Sequence, residues 1–339
     1  MNAVHFIVPA GIDDPTRPSG GNGYDRRVRD GLSAAGWTVL VPEVSGADAA
    51  LADALARISD GSVVLLDGLI ASPAPEVLVP ESRRLRLVVL VHMPLGQAEP
   101  DQREAAVLSA VTSVVTTSVW AQQTLLDLYS LPEGHVHVAE PGVQAAELVL
   151  GTATGESLLS VAAVIPGKGH DVLLDALATL SGRRWRCLCV GTLERDPTYV
   201  ATLRRRALDR GLDGRLRFSG ALPEEHLARS YRAADLLVLP SRSETYGMVV
   251  TEALARGLPV VAAEVGGVPE ALGHGAEGTR PGLLVPGDDP AALADALRAW
   301  LEDPGLRRRL QRAARERRES LSDWSATTAA LADVLERAA

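Results

Sequence analysis

The sequence predicts an α/β protein of two domains, each built around a parallel β-sheet. Short runs of Val, Ile and Leu alternate along the chain with longer stretches rich in Ala and Leu. Apolar strands that alternate with helices are typical of parallel sheets that are buried on both faces. The length of 339 residues suits two domains. A segment with neither periodicity interrupts the pattern near the middle of the chain.

The first domain is predicted over residues 1–148. Its strands are expected at Val4–Val8, Thr38–Val41, Ser62–Leu66, Arg86–His92 and Ser113–Thr116. A glycine-bearing loop, Pro18–Gly23, follows the first strand, and a helix is predicted from about Tyr24 to Ala35, where Gly36 ends it. Right-handed crossovers between such strands give a doubly wound, Rossmann-like sheet.

The second domain is predicted over residues 149–321, and residues 322–339 are predicted to form one more helix. The strands of this domain are expected at Leu158–Val164, Arg186–Val190, Leu216–Ser219, Leu236–Leu239 and Val260–Ala263. The segment Gly142–Gly155 has neither the helical nor the strand period and is interpreted as the linker. Two such domains joined once predict a central cleft that the carboxyl ends of the strands face.

Composition and charge exclude several classes of protein. The net charge is −9, so we expect no nucleic-acid partner, because such a partner favours a basic surface. Cys187 and Cys189 lie too close together for a common zinc knuckle and are interpreted as reduced thiols. Met1–Gly11 lacks the pattern of a leader, and no apolar run approaches the ~20 residues of a membrane span. We therefore expect a cytoplasmic location.

Two acidic residues stand around a helix that is predicted from about Gly247 to Arg256. Glu244 precedes this helix, and the N–H groups and dipole of a helix N-terminus favour an anion such as phosphate. Glu252 is expected about two turns into the helix, on roughly the same side. This spacing suits recognition of hydroxyls on two sugars of one ligand. The spacing alone is explained equally well if Glu244 only stabilises the helix N-terminus and Glu252 is a solvated residue of the helix.

The 34 basic residues include a single lysine, Lys168, in a Pro-Gly-Lys-Gly turn that follows a predicted strand. A turn lysine at the end of a strand suits a phosphate partner. Gly20 and Gly21 do not fit the dinucleotide fingerprint, although adjacent glycines let the backbone approach a ligand closely. His92 ends another predicted strand. The histidines show no metal-ligand spacing and no Asp-x-Asp occurs, so we expect no metal site.

Taken together, these segments resemble glycosyltransferase family 4, whose members are retaining transferases with the two-domain GT-B fold. Glu244 and Glu252 match the E-x7-E motif of the family, and Lys168 matches its diphosphate-binding lysine. Ala163 stands where the family usually has an arginine, the second cation for the diphosphate. The family's two later blocks are matched by residues 266–270 and 282–286.

The resemblance extends to the first domain. Gly20 and Gly21 match the N-terminal glycine loop of the family, and His92 matches its active-site histidine. Trp324 resembles the tryptophan at which the chain returns to the first domain, so the last helix is expected to pack there.

The resemblance implies transfer of a sugar from a UDP- or GDP-sugar to an unidentified hydroxyl acceptor, with retention and without a metal or other cofactor. The acceptor is a small molecule, a glycan or a lipid. The implied catalytic residues are His92, Lys168 and Glu244. The implied donor-binding residues are Gly20, Gly21, Lys168, Glu244, Tyr246, Gly247, Met248, Val249 and Glu252.

Other functions remain open. A nucleotide-sugar epimerase has the same fold and would isomerise a UDP-sugar without an acceptor. A pyridoxal-phosphate-dependent phosphorylase needs a lysine that forms a Schiff base. Lys168 is the single lysine, but it lies in the segment that matches the diphosphate-binding lysine of the family. A non-catalytic nucleotide-sugar-binding protein would bind nucleotide without transfer. The arginine-rich stretch Arg307–Arg318 suits contact with a membrane surface, although a solvated helix is the favoured interpretation.

Overall fold

The computed structural model describes residues 2–14, 19–45, 48–96 and 99–339. The chain divides into two compact units, which are Met1–Gly142 with Ser322–Ala339 and Val143–Leu321. The sequence-based boundary lay between residues 148 and 149. Two segments that were interpreted from the sequence include residues outside the described ranges. These residues are Met1 in the segment Met1–Gly11 and Pro18 in the predicted glycine loop.

Each unit contains one sheet, and every described strand pairing is parallel. The strands of the first unit are β1 (Ala3–Pro9), β2 (Thr38–Leu40), β3 (Glu43–Val44), β4 (Val63–Asp67), β5 (Arg86–Val91), β6 (Ser113–Thr116) and β7 (Val136–Val138). Those of the second are β8 (Ser157–Val161), β9 (Arg186–Val190), β10 (Leu216–Gly220), β11 (Leu236–Leu239), β12 (Val260–Ala263) and β13 (Gly282–Val285).

Both sheets are doubly wound. The first has the order β2-β1-β4-β5-β6-β7 with β3 beside β1, and the second has the order β10-β9-β8-β11-β12-β13. In each sheet the order reverses beside the first strand of the unit, which is the hallmark of a Rossmann-like topology. The predicted architecture of two parallel-sheet α/β domains is therefore confirmed.

Helices connect the strands in both units, and the last helix belongs to the first unit. Their bounds are α1 (Gly20–Ala34), α2 (Asp48–Ala56), α3 (Gly68–Ala71), α4 (Pro75–Glu81), α5 (Gln102–Ala110), α6 (Val119–Tyr129), α7 (His170–Ala178), α8 (Pro197–Asp209), α9 (Glu224–Arg232), α10 (Met248–Leu254), α11 (Val268–Leu272), α12 (Pro290–Glu302), α13 (Pro304–Arg318) and α14 (Trp324–Ala338). A 3₁₀ turn covers Pro166–Lys168.

All the predicted strands are present, with ends that differ by a few residues, and the predicted linker contains no helix or strand. Three strands escaped prediction, namely β3, β7 and β13. Strand β3 is only two residues long, and β7 and β13 lie at sheet edges. Such short segments carry too little apolar sequence to stand out from their surroundings.

The predicted glycine loop at Pro18–Gly23 is wrong from Gly20 onward, because α1 already begins there. Three glycines among four residues disfavour a helix. Ser19 compensates as the N-cap residue, since its hydroxyl accepts a hydrogen bond of 3.0 Å from the Asn22 N–H. Gly20 and Gly21 are therefore the first residues of a helix rather than part of a loop.

The helix after Glu244 is shorter than predicted. It runs over Met248–Leu254 instead of Gly247–Arg256. Gly257, in a left-handed conformation, ends the helical segment by donating a 2.8 Å hydrogen bond to the Leu254 carbonyl. Glu252 comes four residues after Met248, so it lies about one turn into the helix rather than the two turns that were predicted.

The C-terminal helix α14 packs on the first unit, as expected for the segment that Trp324 opens. The ring of Trp324 makes an edge contact with Tyr24, with ring centroids 5.5 Å apart. Thr327 donates a 2.7 Å hydrogen bond to the Glu140 carbonyl and accepts one of 2.8 Å from the Gly142 N–H. Leu335 is fully buried in the same core. This segment is thus an integral part of the first unit.

Three arginines of the arginine-rich helix α13 are engaged in contacts within the second unit. The side chain of Arg307 is almost buried and donates to the carbonyls of Trp300 and Leu301. Arg317 and Arg318 likewise donate to carbonyls of the second unit. Several cations of the stretch therefore stabilise the fold. Throughout the described ranges, each helix is too short or too polar to cross a bilayer.

Helices α1 and α14 approach each other closely at Gly31, and this contact supports a stability prediction. A Cβ at Gly31 would overlap the Thr328 hydroxyl, which is held by a 2.9 Å hydrogen bond to the Trp324 carbonyl. We expect Gly31→Ala to lower the free energy of unfolding by about 1–3 kcal/mol. Chemical denaturation of both proteins measures this difference.

Gly23→Ala is the matched control on the same helix, because a Cβ there meets nothing within 4 Å. We expect this control to be neutral or to stabilise by about 0.5 kcal/mol through higher helix propensity. Equal effects of the two substitutions would contradict the proposed packing.

Candidate functional site

The second unit brings Lys168 and Glu244 together at the point where the strand order reverses. Lys168 lies in the turn after β8 and Glu244 in the loop after β11, and these two strands are neighbours in the sheet. In open α/β sheets ligands bind at this position, beyond the carboxyl ends of the strands. Lys168 Nζ donates to Glu244 Oε1 over 2.6 Å, and the Ser241 hydroxyl donates to the same oxygen over 2.7 Å.

The ion pair is partly open to solvent, with 28% of the Lys168 side chain and 13% of the Glu244 side chain exposed. An ammonium group has three N–H donors. Its bond to Glu244 therefore leaves further donors for an anionic ligand oxygen. The carboxylate fixes the direction of the lysine, so the cation is oriented before any ligand arrives.

Two glycines let the loops around this pair pack backbone against backbone. Gly169 adopts a left-handed conformation, and a Cβ there would overlap the Pro240 carbonyl. A Cβ at Gly267 would overlap the Thr245 carbonyl, and the Gly267 N–H donates to the Glu244 carbonyl over 3.1 Å. The loops that carry Lys168 and Glu244 are thus held in fixed positions.

Arg242 ties the same two loops together, and the sequence reasoning did not single it out. Its guanidinium forms a bidentate pair with Asp171 at 2.9 and 2.8 Å and donates to the Pro166 carbonyl over 2.6 Å. It also pairs with Asp288 over 2.7 Å. Because these acceptors engage the guanidinium, Arg242 is not a free replacement for the diphosphate cation that is missing at Ala163.

The Arg242 pair changes the titration of Asp171. Burial alone would raise the pKa of this carboxyl group, but hydrogen bonds from Arg242 and Tyr199 outweigh burial and lower the pKa to about 2. The ion pair therefore persists across the whole neutral range and in mild acid.

Glu252 is held from a neighbouring helix rather than solvated freely. Its Oε2 accepts a 2.8 Å hydrogen bond from the Tyr231 hydroxyl of α9, and Tyr231 is fully buried. The Arg256 guanidinium stacks 4.4 Å above the Tyr231 ring and donates to the Glu252 carbonyl over 2.7 Å. These contacts fix one carboxylate oxygen of Glu252.

The remaining predicted residues of the second unit surround the start of α10. Gly247 is the N-cap, in a left-handed conformation and without a capping side chain. Met248 and Val249 are half-buried in the first turn. Tyr246 is 6% exposed and belongs to the hydrophobic core beneath the helix. Their assigned roles in donor binding stay predictions.

In the first unit His92 lies directly after β5 and meets two carboxyl groups. Its Nε2 is 2.8 Å from Asp25 Oδ1 and 3.8 Å from Asp67 Oδ2. The Tyr24 ring packs edge-on against the imidazole, with ring centroids 5.3 Å apart. A Cβ at Gly21 would come within 3.4 Å of the imidazole. Gly21 and His92 are therefore neighbours, as the motif match implied.

Asp25 and Asp67 were missed from the sequence. Asp67 ends β4 and caps α3, whereas Asp25 lies in α1, so the two approach only through the fold. The sequence held one signal for Asp67, because it is the polar last residue of an apolar strand that neighbours β5 in the sheet.

The two carboxyl groups reverse the expected effect of burial on His92. Burial alone would lower its pKa, but the charge of Asp25 and the hydrogen bond to it, with a contribution from Asp67, raise the pKa to about 9. Burial raises the pKa of Asp67 to about 7. One ligand atom from each of the three residues lies within 4.8 Å of the others, a spacing that would also accommodate a cation. The expectation of no metal site stays a prediction.

Comparison with known proteins gives consistent matches. The sequence profile of glycosyl transferases group 1 matches residues 152–317. The D-inositol 3-phosphate glycosyltransferase of Corynebacterium efficiens is 34% identical over 261 residues, which cover 71% of this chain and 60% of that protein. A protein of the same name from Thermobispora bispora is 35% identical over 256 residues, which cover 69% and 58%. The chain thus spans about 60% of the length of these curated relatives.

Several solved structures match over nearly the whole chain, and two of them serve as examples. The sucrose-phosphate synthase of Thermosynechococcus elongatus gives a TM-score of 0.79 at 23% identity and covers 99% of both chains. Anabaena Alr3699/HepE in complex with UDP-glucose gives a TM-score of 0.79 at 19% identity, also over 99% of both. At these identities the likeness concerns the fold, and the predicted GT-B fold is confirmed.

The Arg242–Asp171 pair predicts a distinct acid dependence of stability. Because the pKa of Asp171 is lower in the folded state than its ordinary value of 3.8, the stabilisation is present above pH 3.8 and is lost as the pH falls to about 2. We expect Arg242→Gln to remove about 1 kcal/mol of stability at neutral pH, a figure reduced for partial exposure. Urea denaturation between acid and neutral pH measures both effects.

Arg298→Gln is the matched control, since Arg298 pairs with Asp295 on an exposed surface of the same unit. This control should leave stability nearly unchanged. If Arg242→Gln behaves like Arg298→Gln at every pH, the bracing role of Arg242 is wrong.

Proposed function

We propose that the chain is a GT-B glycosyltransferase that transfers a sugar from a nucleoside-diphosphate sugar to a hydroxyl acceptor. The match of residues 152–317 to the profile of glycosyl transferases group 1 supports this proposal. The observation that carries the proposal is the oriented Lys168–Glu244 pair at the strand reversal of the second sheet. The bound UDP-glucose of Alr3699/HepE supports a sugar nucleotide as the donor. A UDP- or GDP-sugar and retention of configuration are parts of this proposal.

In this proposal Lys168 binds the diphosphate, which accumulates negative charge as the bond to the sugar breaks. A fixed cation stabilises that charge without reorganisation during the reaction. The N–H groups of Met248 and Val249 are proposed to assist at the start of α10. Position 163 is an alanine, so no arginine there helps Lys168 to neutralise the diphosphate. Lys168 therefore contributes more of the charge stabilisation than a lysine does in a site with two cations.

Glu244 and Glu252 are proposed to bind hydroxyl groups at two places along the donor. Glu244 contacts the transferred sugar while orienting Lys168, and Glu252, held by Tyr231, binds the ribose. A carboxylate forms strong, charge-assisted hydrogen bonds with hydroxyl donors. Because their partners differ, the two glutamates are not proposed as an acid–base pair around one bond.

In the first unit His92, with Gly20 and Gly21, is proposed to serve the transferred sugar, on the strength of the motif match and the contact between Gly21 and His92. No metal or other cofactor is part of the proposal. The acceptor is a small molecule, a glycan or a lipid. The names of the curated relatives make a phosphorylated cyclitol the first acceptor to test.

A thermal-shift screen with UDP-, GDP-, ADP- and TDP-sugars identifies the donor, because a ligand that binds the native state raises the melting temperature. Transfer is then measured as release of the nucleoside diphosphate with a panel of acceptors. Isomerisation of the sugar without an acceptor would indicate an epimerase. Binding without any reaction would indicate a non-catalytic protein, and either result would overturn the proposal.

Lys168→Ala tests the diphosphate role. We expect the turnover rate to fall roughly 100-fold, because a preorganised charge is lost where negative charge develops. Arg183→Ala is the control, since Arg183 forms an exposed ion pair with Glu302 in the same unit. A folded Lys168→Ala protein with the activity of this control would refute the assignment.

Glu252→Gln tests the ribose role, because it keeps the size of the side chain but removes its charge. We expect the dissociation constant of the nucleoside diphosphate to rise about tenfold, equivalent to about 1.4 kcal/mol. Isothermal titration calorimetry measures this constant. An unchanged affinity in Glu252→Gln would exclude Glu252 as a ribose ligand.

A further inference from the structure

The first unit contains a buried pair of carboxyl groups to which the proposed function gives no role. Asp25 and Asp67 have side chains that are 0% and 1% exposed, and both face His92. Each carboxyl group has one oxygen with a defined partner. Asp25 Oδ1 contacts His92 Nε2 at 2.8 Å, and Asp67 Oδ1 accepts the Leu69 N–H at the start of α3 over 2.6 Å.

The other oxygen of each group, Oδ2, is buried without a hydrogen-bond partner among the described residues. Two buried carboxylates side by side would cost far more free energy than one imidazolium ion can offset. One proton placed between them removes a negative charge and satisfies both oxygens. With His92 doubly protonated, the cluster is then electrically neutral.

We propose that Asp25 and Asp67 share one proton through their Oδ2 atoms and act as positioning residues that hold His92 as an imidazolium ion. His92 Nε2–H then donates to Asp25, and Nδ1–H is the donor that remains for an oxygen of the substrate. This role for Nδ1 rests on the proposed function, whereas the protonation state of the cluster does not.

The surroundings of His92 support this assignment. The side chain is 14% exposed, and Nδ1 forms no hydrogen bond with any residue in the described part of the chain. Among the residues that the structure describes, the titratable groups that face the ring are Tyr24 and Asp25 of α1 and Asp67 at the end of β4. Tyr24 stays neutral, because burial raises its pKa and its hydroxyl donates to the Ala139 carbonyl over 2.8 Å.

The direction of both pKa shifts agrees with this arrangement: the pKa of His92 is raised, so the imidazole keeps its second proton at neutral pH, and burial raises the pKa of Asp67, so this carboxyl group binds a proton more readily than an exposed one. The two acids are not equivalent. Asp25 touches the ring and carries the charge that holds it, whereas Asp67 supplies the shared proton. An amide can replace a protonated carboxyl group as a donor, but it cannot replace a charge.

This asymmetry gives the test. Long-range ¹H–¹⁵N spectra of histidine-labelled protein follow the ring nitrogens, and His92→Gln identifies the signal of His92. In the wild-type protein the His92 ring should stay doubly protonated at neutral pH. Asp25→Asn should lower the proton affinity of the His92 ring at least about tenfold, which is one pKa unit. Asp67→Asn should leave the titration nearly unchanged.

The control is Asp30→Asn, which lies on the same helix and pairs with Arg29 at the surface. This variant should titrate like the wild-type protein. A wild-type His92 that titrates near its ordinary pKa of 6.5 would overturn the proposal even if Asp25→Asn did not fold. If His92 titrates in Asp25→Asn as it does in the wild-type protein, the proposal is overturned as well.

Two further measurements separate the alternatives. Addition of millimolar Mn²⁺ should leave the His92 signals sharp. Selective broadening of these signals would indicate that a cation, rather than a shared proton, occupies the cluster, and this result would overturn the proposal. Turnover of Asp25→Asn should fall as the pH rises from 6 toward 8, whereas that of the Asp30→Asn control should follow the wild-type profile. If no transfer is found, the proposed function fails while the spectra still decide the protonation of the cluster.

Discussion

Parallel pairing of the strands is the constraint on which both candidate sites depend. Because all described strands in each sheet run in one direction, their carboxyl ends meet at one edge, and every loop that follows a strand emerges there. Beside β8 the strand order reverses, so that the chain passes to β9 on one side of β8 and β11 lies on the other side. The turn after β8 therefore lies against the loop after β11. Lys168 and Glu244, distant in sequence, become an ion pair for this reason.

The two units handle charge differently at these edges. In the second unit the charges are partly exposed. Lys168 pairs with Glu244, and Arg242, which pairs with both Asp171 and Asp288, holds the two loops together. Such an arrangement keeps a cation oriented yet accessible to an anionic ligand. In the first unit the acids are fully buried, so His92 cannot be considered apart from Asp25 and Asp67.

Much of the fold and part of the site followed from the sequence. Buried parallel strands are continuous apolar runs, so their positions were evident, and Lys168, Glu244, Glu252 and His92 were identified through motifs. The start of α1 was misjudged, because the Ser19 cap outweighed the low helix propensity of the glycines after it. The length of α10 was overestimated, because nothing in its composition marks an end before Gly257.

The sequence by itself determined the two-domain parallel architecture and the types of residue at the strand ends, because periodicity and motif spacing are local properties. The tertiary structure decided which charges meet. Asp25 from a helix and Asp67 from a strand converge on His92, and Arg242 reaches Asp171 across two loops. Such contacts depend on crossover paths and close backbone packing, and burial then sets the protonation of each group.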